Sequence, residues 1–167
     1  IEPLLAQLAY KADDLWIGQV RLARYGTGPL PTTPAVPLSA HLGEAIRLEG
    51  YALPARSYTA GDVIPVTLFW RAEAPPATRY KVFVHLLDAN GALVAQTDRE
   101  PVGGFRPTDR WPVDERIVDR YGVWLPGSLS NGNYELQIGM YDFNGARLPI
   151  TQNGEVVGDA FPLTEVE

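Results

Sequence analysis

The chain contains no cysteine. That absence excludes disulfides, thiolate nucleophiles and cysteine-ligated metal sites, while leaving the compartment open. Histidine occurs only twice, and neither a His-Glu-x-x-His helix nor a Gly-x-Ser-x-Gly elbow is present, so no familiar hydrolase or metalloprotease motif can be assembled. Apolar runs are far too short to cross a bilayer, which argues against direct membrane insertion of this segment. Basic residues are scarce as well. With 14 Lys and Arg against 20 Asp and Glu, the net charge is −6, and no concentrated basic face is available for nucleic acid or anionic lipid. The acidity is read as solubility. No initiator Met and no charged-then-apolar leader precede Ile1, so the sequence is expected to be a piece of a longer protein.

Glycine (16) and proline (15) are plentiful and interrupt the 167-residue chain at short intervals, a pattern that starves helices and favours short strands joined by turns. The length suits one well-cored domain with an extension, since domains typically run about 100 to 150 residues. Residues 1–40 are taken as the extension and 41–167 as the domain. In the extension, Pro3 with Leu4, Leu5 and Leu8 points to a short helix. Trp16, Val20 and Leu22 alternate with Ile17, Gln19 and Arg21, which predicts one strand over 14–24. The stretch from Gly26 to Pro37 carries four prolines and reads as a linker or a strap.

Strand patterns then dominate. Ile46 and Leu48 alternate with Arg47 and Glu49. The runs Val63–Trp70 and Tyr80–Leu87 are apolar on both faces, which places them near a sheet centre and predicts a largely buried Trp70. Asp88-Ala89-Asn90-Gly91 marks a hairpin returning over 92–98, with a two-residue loop or a three-residue loop and Gly bulge both open. Further strands are expected over 117–125, 134–140 and 160–166, and Asn144-Gly145 should turn the chain into Arg147–Ile150. Such spacing predicts an all-β antiparallel sandwich, immunoglobulin-like or jelly-roll-like, rather than a parallel α/β sheet.

Two histidines and one long segment are the places where chemistry could reside. His41 lies in the Pro-rich approach to the sandwich and His85 mid-strand between Phe83 and Leu87; spacing identifies no catalytic partner for either, and His85 is read as structural. Residues 98–117 form a long segment between strands, and segments of this kind are often functional or disordered. Phe105 and Trp111 imply that this one packs down. One reading makes its Arg and acid residues ion pairs over a sheet edge. A second makes it a sugar site, with Trp111 and Tyr121 offering ring faces and Asp109 and Arg110 hydrogen-bonding hydroxyls. The two differ over Trp111, which must be buried as a plug and at least half exposed as a platform. Burial is the outcome predicted. No cofactor is expected except, as a third reading, calcium held by Asp98, Asp114, Glu115 and Asp119 without EF-hand spacing. Gly103-Gly104 opens no helix and is not a phosphate loop.

Several blocks of residues carry a family resemblance. They are Ile46-Arg47-Leu48-Glu49-Gly50-Tyr51, Thr67-Leu68-Phe69-Trp70-Arg71-Ala72, Val82-Phe83-Val84-His85-Leu86-Leu87-Asp88, Ala95-Gln96-Thr97-Asp98, Pro107-Thr108, Trp111, and Tyr134-Glu135-Leu136-Gln137-Ile138-Gly139-Met140-Tyr141-Asp142. In this order they resemble the β-sandwich at the C-terminal, extracytoplasmic end of some bacterial multi-pass membrane proteins. Many of those resemble dolichol-phosphate-mannose-type glycosyltransferases. The likeness covers about residues 40 to 165. It implies a place in the bacterial cell envelope, a parent membrane protein or an envelope glycan as partner, and a noncatalytic accessory role beside a glycosyl-transfer module. The alternatives are a free-standing carbohydrate-binding module and, behind it, a hydrolase built on paired carboxylates.

Overall fold

A computed structural model describes every residue from Ile1 to Glu167. Helix α1 (Glu2–Leu8) leads into a two-stranded ribbon, β1 (Tyr10–Ile17) and β2 (Val20–Gly26). Strands β3 (Val36–Leu42), β4 (Ile46–Ala52), β5 (Val63–Ala72), β6 (Tyr80–Leu87) and β7 (Leu93–Arg99) follow. Two 3₁₀ turns, Pro101–Gly104 and Thr108–Arg110, interrupt the path to β8 (Arg116–Trp124) and β9 (Tyr134–Asp142). The chain ends with β10 (Ile150–Gln152), β11 (Glu155–Gly158) and β12 (Phe161–Val166). A six-stranded sheet in the order β11-β10-β3-β4-β5-β8 faces a four-stranded sheet in the order β12-β9-β6-β7, and all strand pairings are antiparallel. The fold is the antiparallel β-sandwich that the residue pattern predicts.

Alternation puts Ile64, Val66, Leu68 and Trp70 of β5 opposite Val82, Val84 and Leu86 of β6 and Leu136, Ile138 and Met140 of β9. Trp70 is fully buried, as expected. The other face of β5 is covered too, because β1 crosses it. Tyr10 Oη lies 3.0 Å from Thr67 Oγ1 and donates to Pro29 O at 2.5 Å. The ribbon comes so close that a methyl group on Gly122 would stand 2.7 Å from Tyr10 O, so that crossing requires glycine in β8.

Both Asn-Gly turns have the same construction. Gly91 N–H donates to Asp88 O and Asp88 N–H to Ala92 O, leaving three loop residues, with Gly91 at φ +77°. This is the three-residue loop with a glycine bulge. The Asp88 carboxylate accepts the N–H groups of Asn90 and Ala92, and Asp142 does the same for Asn144 and Ala146. These bonds hold both carboxyls below their ordinary pKa.

Three expectations are corrected. The single strand over 14–24 is a hairpin, turning at Gly18 (φ +63°), so Ile17 and Val20 pair across the ribbon instead of alternating along one strand. Strand β3 begins at Val36, inside the expected strap, and runs through the expected boundary at residue 40. It accommodates Pro37 through a register shift between Pro37 and Ala40, where the missing N–H is tolerated. Arg147–Ile150 does not continue beside β9. After one bridge from Arg147 to Tyr141 the chain crosses to the larger sheet, where Ile150 pairs with Leu42. Pro149, which has no N–H to offer a ladder, stands at the crossing.

Candidate functional site

The residues singled out between 98 and 121 divide into an interior set and a surface set. Trp111 is 4% exposed, belongs to the 26-residue core cluster, and donates from Nε1 to Arg106 O at 2.8 Å. Tyr121 is wholly buried. Neither ring can be a sugar platform, because β8 turns Tyr121 inward and the Thr108–Arg110 turn rolls Trp111 under the loop. Asp109 and Arg110 are exposed and border a shallow recess with Phe105, the aromatic ring of this loop that does face solvent. The ion pairs of the first reading are present. Arg79 grips Glu100 through two bonds of 2.7 and 2.6 Å, and Arg106 reaches Glu115 at 2.8 Å. Thr108, buried beneath, accepts from Tyr80 N–H at 2.9 Å and donates to Thr78 O at 2.8 Å.

The four acids of the calcium reading are not brought together, and no group of three or more potential ligands surrounds one point. The reason lies in the sheets. Asp119 faces the core, Asp98 faces outward from the other sheet, and Asp114 and Glu115 lie on the loop before β8. Asp119 is instead the centre of a buried network. Its Oδ2 accepts Tyr121 Oη–H at 2.6 Å and Trp70 Nε1–H at 3.3 Å, and its Oδ1 accepts Val102 N–H at 2.8 Å. Burial pushes the Asp119 carboxyl and the Tyr121 phenol up, and draws down the Arg99 guanidinium, which lies 4.8 Å over the Tyr121 ring.

Both histidines have carboxylate neighbours. His85 Nε2 lies 3.2 Å from Asp98 Oδ1, and its ring centroid is 4.5 Å from that of Phe83. Tyr141 Oη donates to the other Asp98 oxygen at 3.1 Å, and burial together with that carboxylate pushes the phenol up to about 12. His41 Nδ1 sits 3.0 Å from Glu73 Oε2. It heads a cross-strand row, His41, Arg47, Arg71 and Arg116, in which Glu49 accepts from Arg71 and Arg116 at 2.6 Å each. The three guanidinium groups would repel side by side in the sheet, and the carboxylates of Glu49 and Glu73 are interleaved among them.

The feature that sequence reasoning missed is the far end of the ribbon. Leu15 pairs with Leu22 and Ile17 with Val20, so all four share one face, and each is 50 to 68% exposed. Trp16, on the opposite face, is 63% exposed. The ribbon is nevertheless held in place. Arg21 donates to both Asp14 oxygens at 2.7 and 2.6 Å and also contacts Glu2 of α1, and Lys11 reaches Asp14 at 2.5 Å. Arg21 and Lys11 bring the Asp14 carboxyl down to about 2. The available signal was five large apolar residues flanking a single glycine, the mark of a turn rather than a strand interior. Contiguous exposed apolar side chains of this kind mark interaction surfaces. Compared with known proteins, no family model matches the chain and no curated protein matches it.

Proposed function

We propose that this chain is a noncatalytic accessory β-sandwich of a membrane-anchored bacterial envelope protein, held on the extracytoplasmic side next to a glycosyl-transfer module. The observation that carries the reading is the apolar ribbon end, Leu15, Trp16, Ile17, Val20 and Leu22, standing clear of the sandwich. Leaving these side chains in water forfeits about 25 cal/mol for every Å² that could be covered, and a surface against the rest of the same protein would cover them. The residue blocks from Ile46 to Asp142 that resemble extracytoplasmic sandwich domains support the location. The ribbon acts by contact rather than by spanning, and no helix of the chain is long and apolar enough to cross a membrane.

The test uses the full-length protein. A photo-crosslinking residue at Trp16 is expected to capture a membrane-embedded part of the same polypeptide, while one at exposed Asn153, in the turn between β10 and β11, captures none. A gene with no membrane-spanning segment beside this domain, or equal capture from both positions, overturns the reading.

A further inference from the structure

A recess of about 360 Å³ separates the ribbon from the smaller sheet, walled by residues 11–14 of β1 and 96–99 of β7. Each wall is four consecutive residues, so side chains from both faces of each strand border it, and the recess lies against strand edges rather than strand faces. Both edges are unpaired. β1 pairs only with β2 and β7 only with β6, and neither β2 nor β6 contributes to the lining. Lys11 O is turned toward β7, where the Arg99 guanidinium reaches across and donates to it. That bond sets the width of the gap. β1 and β7 stay more than 8 Å apart over nearly their whole lengths, beyond the spacing of about 4.8 Å at which strands pair and wide enough for one strand to lie between them.

A slot between two free edges offers backbone N–H and C=O groups on both sides, the feature by which an extended peptide is recognised through strand addition. The charges select the peptide. Asp13, Asp14 and Asp98 stand against Lys11 and Arg99, and Arg99 is withdrawn beneath the slot, 4.8 Å over the Tyr121 ring. Asp14 is engaged by Arg21 and Lys11, which leaves Asp13 on one wall and Asp98 on the other. Asp98 has no Lys or Arg partner, and Arg24 comes only within 3.8 Å of Asp13. Charged side chains on an edge discourage casual strand pairing, whereas a strand with cations at alternate positions makes partners of these carboxylates. We propose that the slot between β1 and β7 binds an extended, basic segment of a partner protein, whose backbone pairs with both edges and joins the ribbon to the smaller sheet. The proposal goes beyond the docking of the apolar ribbon end and uses the other end of the ribbon, nearer the sandwich.

The probes are end-capped octapeptides titrated into the ¹⁵N-labelled chain: (Thr-Lys)₄, (Thr-Glu)₄, and (Thr-Lys)₄ N-methylated at every threonine. The first is expected to give saturable shifts centred on residues 11–14 and 96–99 and to slow amide exchange there. The acidic peptide should not bind, and neither should the methylated one, which keeps its charge but lacks the N–H groups for one wall. Gln96 is an exposed side chain on the β7 wall, so its substitutions should leave the melting temperature unchanged. Gln96→Lys is expected to weaken binding of (Thr-Lys)₄ about tenfold or more, each tenfold being about 1.4 kcal/mol, and Gln96→Glu to strengthen it. No saturable shift with (Thr-Lys)₄ at millimolar concentration, equal binding of the acidic or the methylated peptide, or shifts centred instead on residues 15–22 each overturn the proposal.

Discussion

Asp119 and Val102 are joined across the interior edge of the sandwich by a 2.8 Å hydrogen bond from the Val102 N–H to a carboxylate that has no access to water. Val102 needs the support, because its φ of 53° is one that β-branched residues rarely adopt, at a cost of order 1–3 kcal/mol. Removing the carboxylate would strand that N–H together with the Tyr121 hydroxyl and the Trp70 indole N–H. Each stranded donor costs about 1–3 kcal/mol, so Asp119→Ala should lose at least 3 kcal/mol in urea unfolding. A loss within about 0.5 kcal/mol, as for exposed sites, would show that the network does not hold the loop.

The same carboxyl sets a pH dependence. Its folded pKa is raised by burial, so its contribution is fully present below about 3.8 and is lost as pH rises through the folded value. The melting-temperature difference between the parent and Asp119→Asn, followed from pH 3 to 8, should therefore shift against the parent as pH rises and then level off. A shift in the parent's favour would mean that Arg99 stabilises the ionised form more than burial opposes it.

Trp70 and Trp111 should behave alike, although one sits in a central strand and the other in a loop. Both are in the core cluster, and Trp→Ala at either is expected to cost about 3–5 kcal/mol through the cavity left behind. Chemical denaturation measures both. A Trp111→Ala protein as stable as the parent would place that ring at the surface and reopen the sugar-platform reading.

Ile17→Lys with Val20→Lys should leave unfolding free energy within about 0.5 kcal/mol, because both side chains are already in water. Binding of a hydrophobic dye should fall sharply in the same protein. If stability falls instead, the ribbon end is packed against the sandwich and is not a free surface.

Gly91→Ala meets no neighbouring atom, so its cost is purely conformational. At φ +77° that cost is about 1 kcal/mol, readable as a lowered melting temperature. An unchanged or raised value would show that the loop has relaxed to another turn.

What the sequence determined by itself was local and repetitive. The Asp-x-Asn-Gly turns, the alternation in β4 to β6 and β9, and the burial of Trp70 depend on neighbours a few positions away, and a tight turn or a period of two can be read without knowing the partner strand. The choice of a three-residue loop with a glycine bulge came instead from the hydrogen bonds of the folded hairpin. Tertiary structure alone decided where intermediate side chains ended up. Tyr121 and Asp119 share the inward face of β8, so a ring and a carboxylate that looked like ligand groups became core. Val36–Leu42 became a strand because β4 and β10 offered edges to pair with, against the prolines around it. Leu15, Ile17, Val20 and Leu22 carry a pattern suited to burial and stay in water, because the strand turns back on itself at Gly18 and only the Tyr10 end of the ribbon reaches the sandwich. Tyr58 and Glu167, more than a hundred positions apart, are joined by a backbone hydrogen bond of 2.6 Å, a proximity that exists only once the strands have packed. Hydrophobic pattern specifies which residues seek cover, whereas the topology of the sheets determines which of them find it.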